Sequence, residues 1–268
     1  MAVTRRGYIF CAFLSSVLCV LLIVVAISSD SWVISTATAE NQVSDSSVRY
    51  GLFRGEIMLR DLATPNINTL YMVCVQAYSA CALSCKTDEE ARIIEVQALA
   101  QGYRPTAACL AVTDVDTTNP LNTPPVISYG FYVTLILLLV IQLALAVAAA
   151  GLAILNATKN PTEPIFGLPG CLWINVATAV VGVTVMLMFG IYWRTSGLNG
   201  HLAIGYIALG YFTALPGLGF SYWLLIVSIV CAVANVGLIL LRAYLLERDP
   251  PPPTIKVENH SDGTIFLY

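Results

Sequence analysis

Four apolar stretches without a single Asp, Glu, Lys, Arg or His dominate this chain: Gly7 to Ser29, Ile127 to Leu155, Cys171 to Trp193 and Phe220 to Leu241. A helix of about 22 residues is roughly 33 Å long, enough to cross a hydrocarbon core about 30 Å thick. Lipid offers the backbone no hydrogen-bond partners, so each stretch must satisfy itself by coiling into a helix. The expected fold class is therefore an all-α transmembrane four-helix bundle. Composition agrees: mean hydropathy is +0.77 and charged residues make up 11% of the chain, where soluble domains carry about 25%.

These spans divide the chain into an N-terminal segment 1–6, spans 7–29, 127–155, 171–193 and 220–241, a long loop 30–126, short loops 156–170 and 194–219, and a tail 242–268. Lys and Arg near span ends stay on the cytosolic side. Arg5, Arg6, Lys159, Arg242, Arg248 and Lys256 fall on one side, and only Arg194 and His201 occupy the short loop on the other. Both termini are expected in the cytosol and the long loop outside the cell. A cleavable signal peptide ending near Ala26-Ile27-Ser28 is the competing reading of the first stretch, but its apolar run exceeds the usual h-region of about 7 to 15 residues.

Pumps and carriers keep ionisable side chains inside the membrane to handle protons and ions. These spans have none, which disfavours transport. Their amides, Gln142, Asn175 and Asn235, are expected to hydrogen-bond between helices. Small residues recur at helical spacing: Ala144 and Ala148, Ala146 and Ala150, and Gly182 and Gly190, each pair suited to close helix packing. No nucleophile and base, metal cluster or cofactor motif is placed for catalysis, so the chain reads as a non-enzyme that needs no cofactor. Its net charge of -3 and locally acidic long loop do not resemble a nucleic-acid surface.

The long loop carries more specific signals. Trp32-Val33-Ile34 and Val73-Cys74-Val75 favour strands, while Gly51 and Gly55 suggest bends or close backbone approach. A small extracellular antiparallel β-sheet standing on the membrane is expected. Asp88 to Ala100 reads as a helix with acids in its first turn, burying Ile93, Val96, Leu99 and Ala100. The second outer loop, rich in Gly and aromatics such as Tyr206, Tyr211 and Phe212, is expected to pack beneath that sheet or to offer a lateral contact.

Four cysteines, Cys74, Cys81, Cys85 and Cys109, lie in the long loop, where an oxidising compartment favours disulfides. Three pairings are open. The other four, Cys11, Cys19, Cys171 and Cys231, lie in or at the spans and are expected to be buried as small apolar residues, with palmitoylation an alternative for Cys11.

Four spans, Trp32, and Gly51-Leu52-Phe53 followed by loop cysteines resemble the claudin-like tetraspan superfamily, whose first loop carries a Trp, then Gly-Leu-Trp, then two cysteines. Here Phe53 stands in place of the second Trp, and the first cysteine arrives only at Cys74. The superfamily pattern implies a Cys74–Cys85 pair. Within it, Tyr50-Gly51-Leu52-Phe53-Arg54-Gly55-Glu56 and the segment Pro161 to Gly170 resemble the clarin family. That resemblance implies a non-enzymatic plasma-membrane protein of sensory cells, supporting hair bundles, photoreceptors or synapses through membrane organisation, trafficking and actin linkage. It also makes Trp32, Gly51, Leu52 and Phe53 the expected anchors of the sheet on the helix tops. A claudin-like adhesion or barrier protein and an auxiliary channel subunit are the alternatives.

The tail carries Pro250, Pro251, Pro252 and Pro253, a polyproline spacer that holds residues 254–268 away from the membrane. It could offer that run to an SH3 or WW domain, or Phe266-Leu267-Tyr268 to a PDZ groove. Expected partners are thus the lipid bilayer, other membrane proteins laterally, a cytosolic scaffold at the tail and a second copy of the chain, with no nucleic acid. The sequons Asn156-Ala157-Thr158 and Asn259-His260-Ser261 fall on the expected cytosolic side, out of reach of glycosylation.

Overall fold

A computed structural model describes residues 2–39, 46–59, 66–105, 109–118, 120–158, 165–197 and 212–248. Four of its helices are long and apolar enough to cross a membrane: α1 (Ala2–Ser28), α3 (Tyr129–Thr158), α4 (Leu168–Thr195) and α5 (Phe220–Arg248). The chain is a multi-pass membrane protein. Each long helix packs on two others, so the ring runs α1, α3, α4, α5.

The helix limits differ from the apolar limits for local reasons. Ile127 and Ser128 form a short strand, so α3 starts at Tyr129. The third span begins at Leu168, ahead of Cys171, because Pro169 sits in its first turn, where a missing N–H is tolerated. At the other ends, α4 takes in Arg194 and α5 runs on past Leu241 to Arg248.

The amides do bridge helices. Asn235 of α5 donates to Ser16 Oγ of α1 at 2.9 Å and to Asn175 Oδ1 of α4 at 3.1 Å. Gln142 of α3 reaches Ser228 of α5 at 3.5 Å. It can do so because Gly182 of α4 leaves room: a Cβ there would lie 2.6 Å from Gln142 Nε2 and 2.8 Å from Ile229 Cγ1. Among the small residues, Ala146 is buried and Ala150 half-buried, whereas Ala144 and Ala148 are exposed on the outer surface of α3. Cys19, Cys171 and Cys231 are buried, but Cys11 is exposed, contrary to expectation, because it lies on the face of α1 turned away from the bundle. Asn156, the first sequon residue, is buried, and its amide donates to Leu152 and Phe166 carbonyls.

Above one end of the bundle stands an antiparallel sheet of β1 (Val33–Ala39), β2 (Ser46–Tyr50), β3 (Arg54–Leu59), β4 (Asn66–Val75), β5 (Ala80–Ser84), β8 (Ile127–Ser128) and β9 (Phe212–Leu218). Its order is β8-β5-β4-β3-β2-β1-β9. The described end of the second inter-span loop joins the sheet as a strand. Its segment Phe212–Leu218 pairs with β1 along its whole length, Val33 against Leu218 through Ala39 against Phe212, extending the sheet. Tyr206 and Tyr211 lie outside the described residues, as do Lys159, His201, Pro161 to Pro164 and the tail residues Pro250 to Pro253, Phe266 and Tyr268. A separate two-stranded ladder joins β6 (Arg104–Pro105) to β7 (Val115–Asp116).

Helix α2 (Glu89–Ala100) covers the face of the sheet around β4 and β5. Asp88 caps it, accepting from the Ala91 N–H at 3.2 Å. Its buried residues are Ala91, Glu95, Val96, Ala98 and Leu99. Of the expected stripe, Val96 and Leu99 are buried, but Ile93 is 40% exposed and Ala100 only half-buried. The helix is rotated because Glu95 turns inward to reach Ser84 on β5.

Candidate functional site

The joint between sheet and bundle is built from the segment that the sequence singles out. Trp32 is buried, and its ring meets Phe189 of α4 and Tyr222 of α5 edge-on, with centroids 5.1 and 6.4 Å apart. Its indole N–H donates to the Ala26 carbonyl at the end of α1, at 2.6 Å. Leu52 is buried in the same core, among Leu135, Leu139, Val185 and Phe189. The Leu52 carbonyl accepts from the Tyr132 hydroxyl at 3.0 Å.

Glycines let the turn approach the membrane helix closely. A Cβ on Gly51 would sit 2.6 Å from the Arg54 oxygen and 2.7 Å from the Ser29 oxygen. On Gly55 it would lie 2.5 Å from the Arg49 oxygen. Tyr50 is half-buried at the end of β2, where its carbonyl accepts from Trp32 N–H at 2.8 Å. Glu56 lies directly opposite Arg49 across β2 and β3. Phe53 departs from expectation. It is 46% exposed, because Leu52 turns inward at the bend and leaves its neighbour pointing out.

The chain matches no family model and no curated protein.

Two disulfides tie the sheet: Cys74–Cys81 and Cys85–Cys109. The Cys74–Cys85 pair implied by the superfamily pattern does not form. Cys74 and Cys81 face each other in the β4–β5 ladder with Cα atoms 4.0 Å apart, which leaves Cys85 beyond the strand end to take Cys109. Closing that longer loop stabilises by about 3 kcal/mol in the chain-entropy model.

Lys86 and Glu95 are the buried ionisable residues that sequence reasoning missed. Glu95 accepts from the Ser84 hydroxyl, and Lys86 Nζ reaches the Val112 carbonyl at 3.4 Å. Arg92 clamps the same corner, donating from Nε to the Lys86 carbonyl at 2.6 Å and lying 4.6 Å from the Tyr71 ring centre. Burial pushes the Glu95 carboxyl above its ordinary value, opposed by the Ser84 hydrogen bond and the Lys86 charge. The available signal was indirect: Glu95 lies four positions after Ala91 and four before Leu99, so it shares their buried helix face. Among the described residues no group of three or more His, Cys, Asp or Glu could hold a metal ion.

Proposed function

We propose that the protein is a clarin-like tetraspan organiser of a specialised plasma-membrane region, with both termini in the cytosol and the sheet outside the cell. It would support sensory-cell membranes of the hair bundle, photoreceptor or synapse by lateral contacts and by tail contacts with trafficking and actin-linking proteins. Like the family it resembles, it would act by binding rather than by catalysis.

The observation that carries this reading is the common location of Trp32, Gly51 and Leu52. These three of the residues on which the resemblance rests meet at one joint between the sheet and the four-helix bundle. Such an arrangement suits display of an outer surface to partners. Proximity labelling from the tail in native cells tests it. Enrichment of trafficking and actin-associated proteins supports the reading, and enrichment of pore subunits alone would replace it with the auxiliary-subunit alternative.

Adhesion is the second reading, favoured by apolar side chains that the sheet region leaves in the open: Ile67 at 54%, Leu110 at 67% and Val112 at 72% exposure. Aggregation of otherwise non-adherent cells expressing the chain would support it.

A further inference from the structure

Ile165 and Phe166, in the turn that leads into α4, are 73% and 52% exposed. The chain around them is nevertheless tied in place. Asn156, buried near the end of α3, donates from its side-chain amide to the Phe166 carbonyl at 2.8 Å, as well as to the Leu152 carbonyl of its own helix. Gly170, in the first turn of α4, lets the Ile165 main chain lie against it, since a Cβ there would collide with the Ile165 oxygen. Gly167 is buried between the two contacts, and its carbonyl accepts from the Cys171 N–H at 3.1 Å. The turn is a knuckle that carries two large apolar side chains outward.

Its level follows from the helix that holds it. Asn156 lies roughly 40 Å along α3 from Tyr129, at 1.5 Å per residue. A bilayer is about 30 Å thick in its hydrocarbon core and about 40 to 45 Å with its headgroups. The knuckle therefore stands in the headgroup layer of the leaflet away from the sheet. On α4 the exposed residues Pro169, Trp173, Val180, Leu187 and Ile191 recur at helical spacing and form one stripe, the lipid-facing side of that span. Phe166 is three residues from Pro169, so the knuckle continues the stripe at its foot.

We propose that Ile165 and Phe166 are inserted into the bilayer leaflet away from the sheet, as an anchor held by Asn156. Lipid is the occupant because the stripe that the two residues continue already faces it. Insertion withdraws main chain from water, and an unpaired carbonyl opposes that withdrawal. Asn156 removes the opposition at Phe166 by giving its carbonyl a donor. The inference rests on the chain being a multi-pass membrane protein and not on the function proposed above.

The test places the full chain in nanodiscs of phosphatidylcholine, part of which carries a diazirine near the glycerol end of one acyl chain. After irradiation, peptide mapping should find lipid adducts on Ile165 or Phe166 as well as on Trp173, which serves as the lipid-facing control. Hydroxyl-radical footprinting of the same discs compares Phe166 with Ile67, which is 54% exposed at the end of β4 away from the bundle. After correction for intrinsic reactivity, Phe166 should be oxidised roughly tenfold more slowly, the ratio that burial of such a side chain supports. Asn156→Leu keeps the bulk and removes the donor, and should lower the Phe166 adducts relative to those on Trp173 by roughly fivefold, as the loss of one hydrogen bond implies. Asn156→Ala serves where Asn156→Leu fails to fold, as judged by the two native disulfides. Adducts on Trp173 with none on Ile165 or Phe166, or oxidation of Phe166 as fast as Ile67, overturn the insertion on the parent chain alone. An unchanged adduct ratio in a folded Asn156 variant overturns the holding role of Asn156.

Discussion

The indole N–H of Trp32 donates to the main-chain oxygen of Ala26 at 2.6 Å, so the residue just before β1 caps the helix that precedes it. Helix α1 ends at Ser28, and the last carbonyls of any helix lack partners within it. Without the indole, the Ala26 carbonyl would keep only the long bond from the Ser29 hydroxyl, at 3.5 Å, beneath an apolar core. One side chain therefore closes a helix end, fills the core between α4 and α5, and starts β1 at a set height above the bundle.

Trp32→Ala should be destabilised by about 3 to 5 kcal/mol, through the cavity and the lost hydrogen bond. Cell-surface biotinylation should find it retained inside the cell, and the purified variant should melt earlier in detergent. Phe53→Ala, by contrast, removes an exposed ring and should stay within about 0.5 kcal/mol of the parent. Normal surface delivery of Trp32→Ala would show that the joint is not built on this residue.

Gly51→Ala tests the close approach rather than the core. With a methyl group forced against the Ser29 and Arg54 oxygens, the turn must move away from α1. A loss of about 1 to 3 kcal/mol is expected, read as a lower melting temperature with both disulfides still formed.

Disulfide mapping by mass spectrometry without reduction should recover Cys74 with Cys81 and Cys85 with Cys109. The double variant Cys74→Ser with Cys81→Ser should keep the Cys85–Cys109 bridge and lose about 2 to 3 kcal/mol. A Cys74–Cys85 peptide in the native protein would contradict the ladder register of β4 and β5.

Glu95 makes stability depend on pH in a definite direction. Its unfolded carboxyl titrates near about 4.3, and burial raises the folded value above that. Between the two, the folded state holds the extra proton. The contribution of Glu95 is therefore greatest below the unfolded value and is lost as pH rises toward and through the folded one. Glu95→Gln should flatten this part of a melting-temperature profile, while the parent loses stability across it. Parallel profiles for the two would exclude Glu95 as the responsible group.

In the spans, Gly182→Ala should push Gln142 out of its place against α5. The expected cost of about 1 to 3 kcal/mol is measurable as early unfolding in detergent, with the sheet's disulfides unaffected.

Much of this architecture was legible in the chain because the membrane imposes a local rule. A charge-free run of span length has little choice but to form a helix, and Gln142, Asn175 and Asn235 within such runs had to find partners on other helices. The β-branched runs Trp32-Val33-Ile34 and Val73-Cys74-Val75 and the glycines at 51 and 55 likewise read directly as strands and close approach. Less was legible where a residue's fate depended on a distant neighbour. Glu95 lies on a helix that looks amphipathic by itself, and only Ser84, on a separate strand, turns it inward. Phe53 matched a family motif, yet its side depends on which of two adjacent residues the bend directs into the bundle.

By itself the sequence determined that there are four spans, that a sheet comes after the first of them, and that four loop cysteines were available to pair. Each rests on local demands: a backbone without water must coil, and β-branched residues favour extension. Only the tertiary structure decided that Cys74 takes Cys81, that Phe212–Leu218 joins β1, and that Trp32 caps the end of α1. Those outcomes depend on register and on elements far apart in the chain, where a shift of one residue along a strand exchanges its two faces and alters every partner.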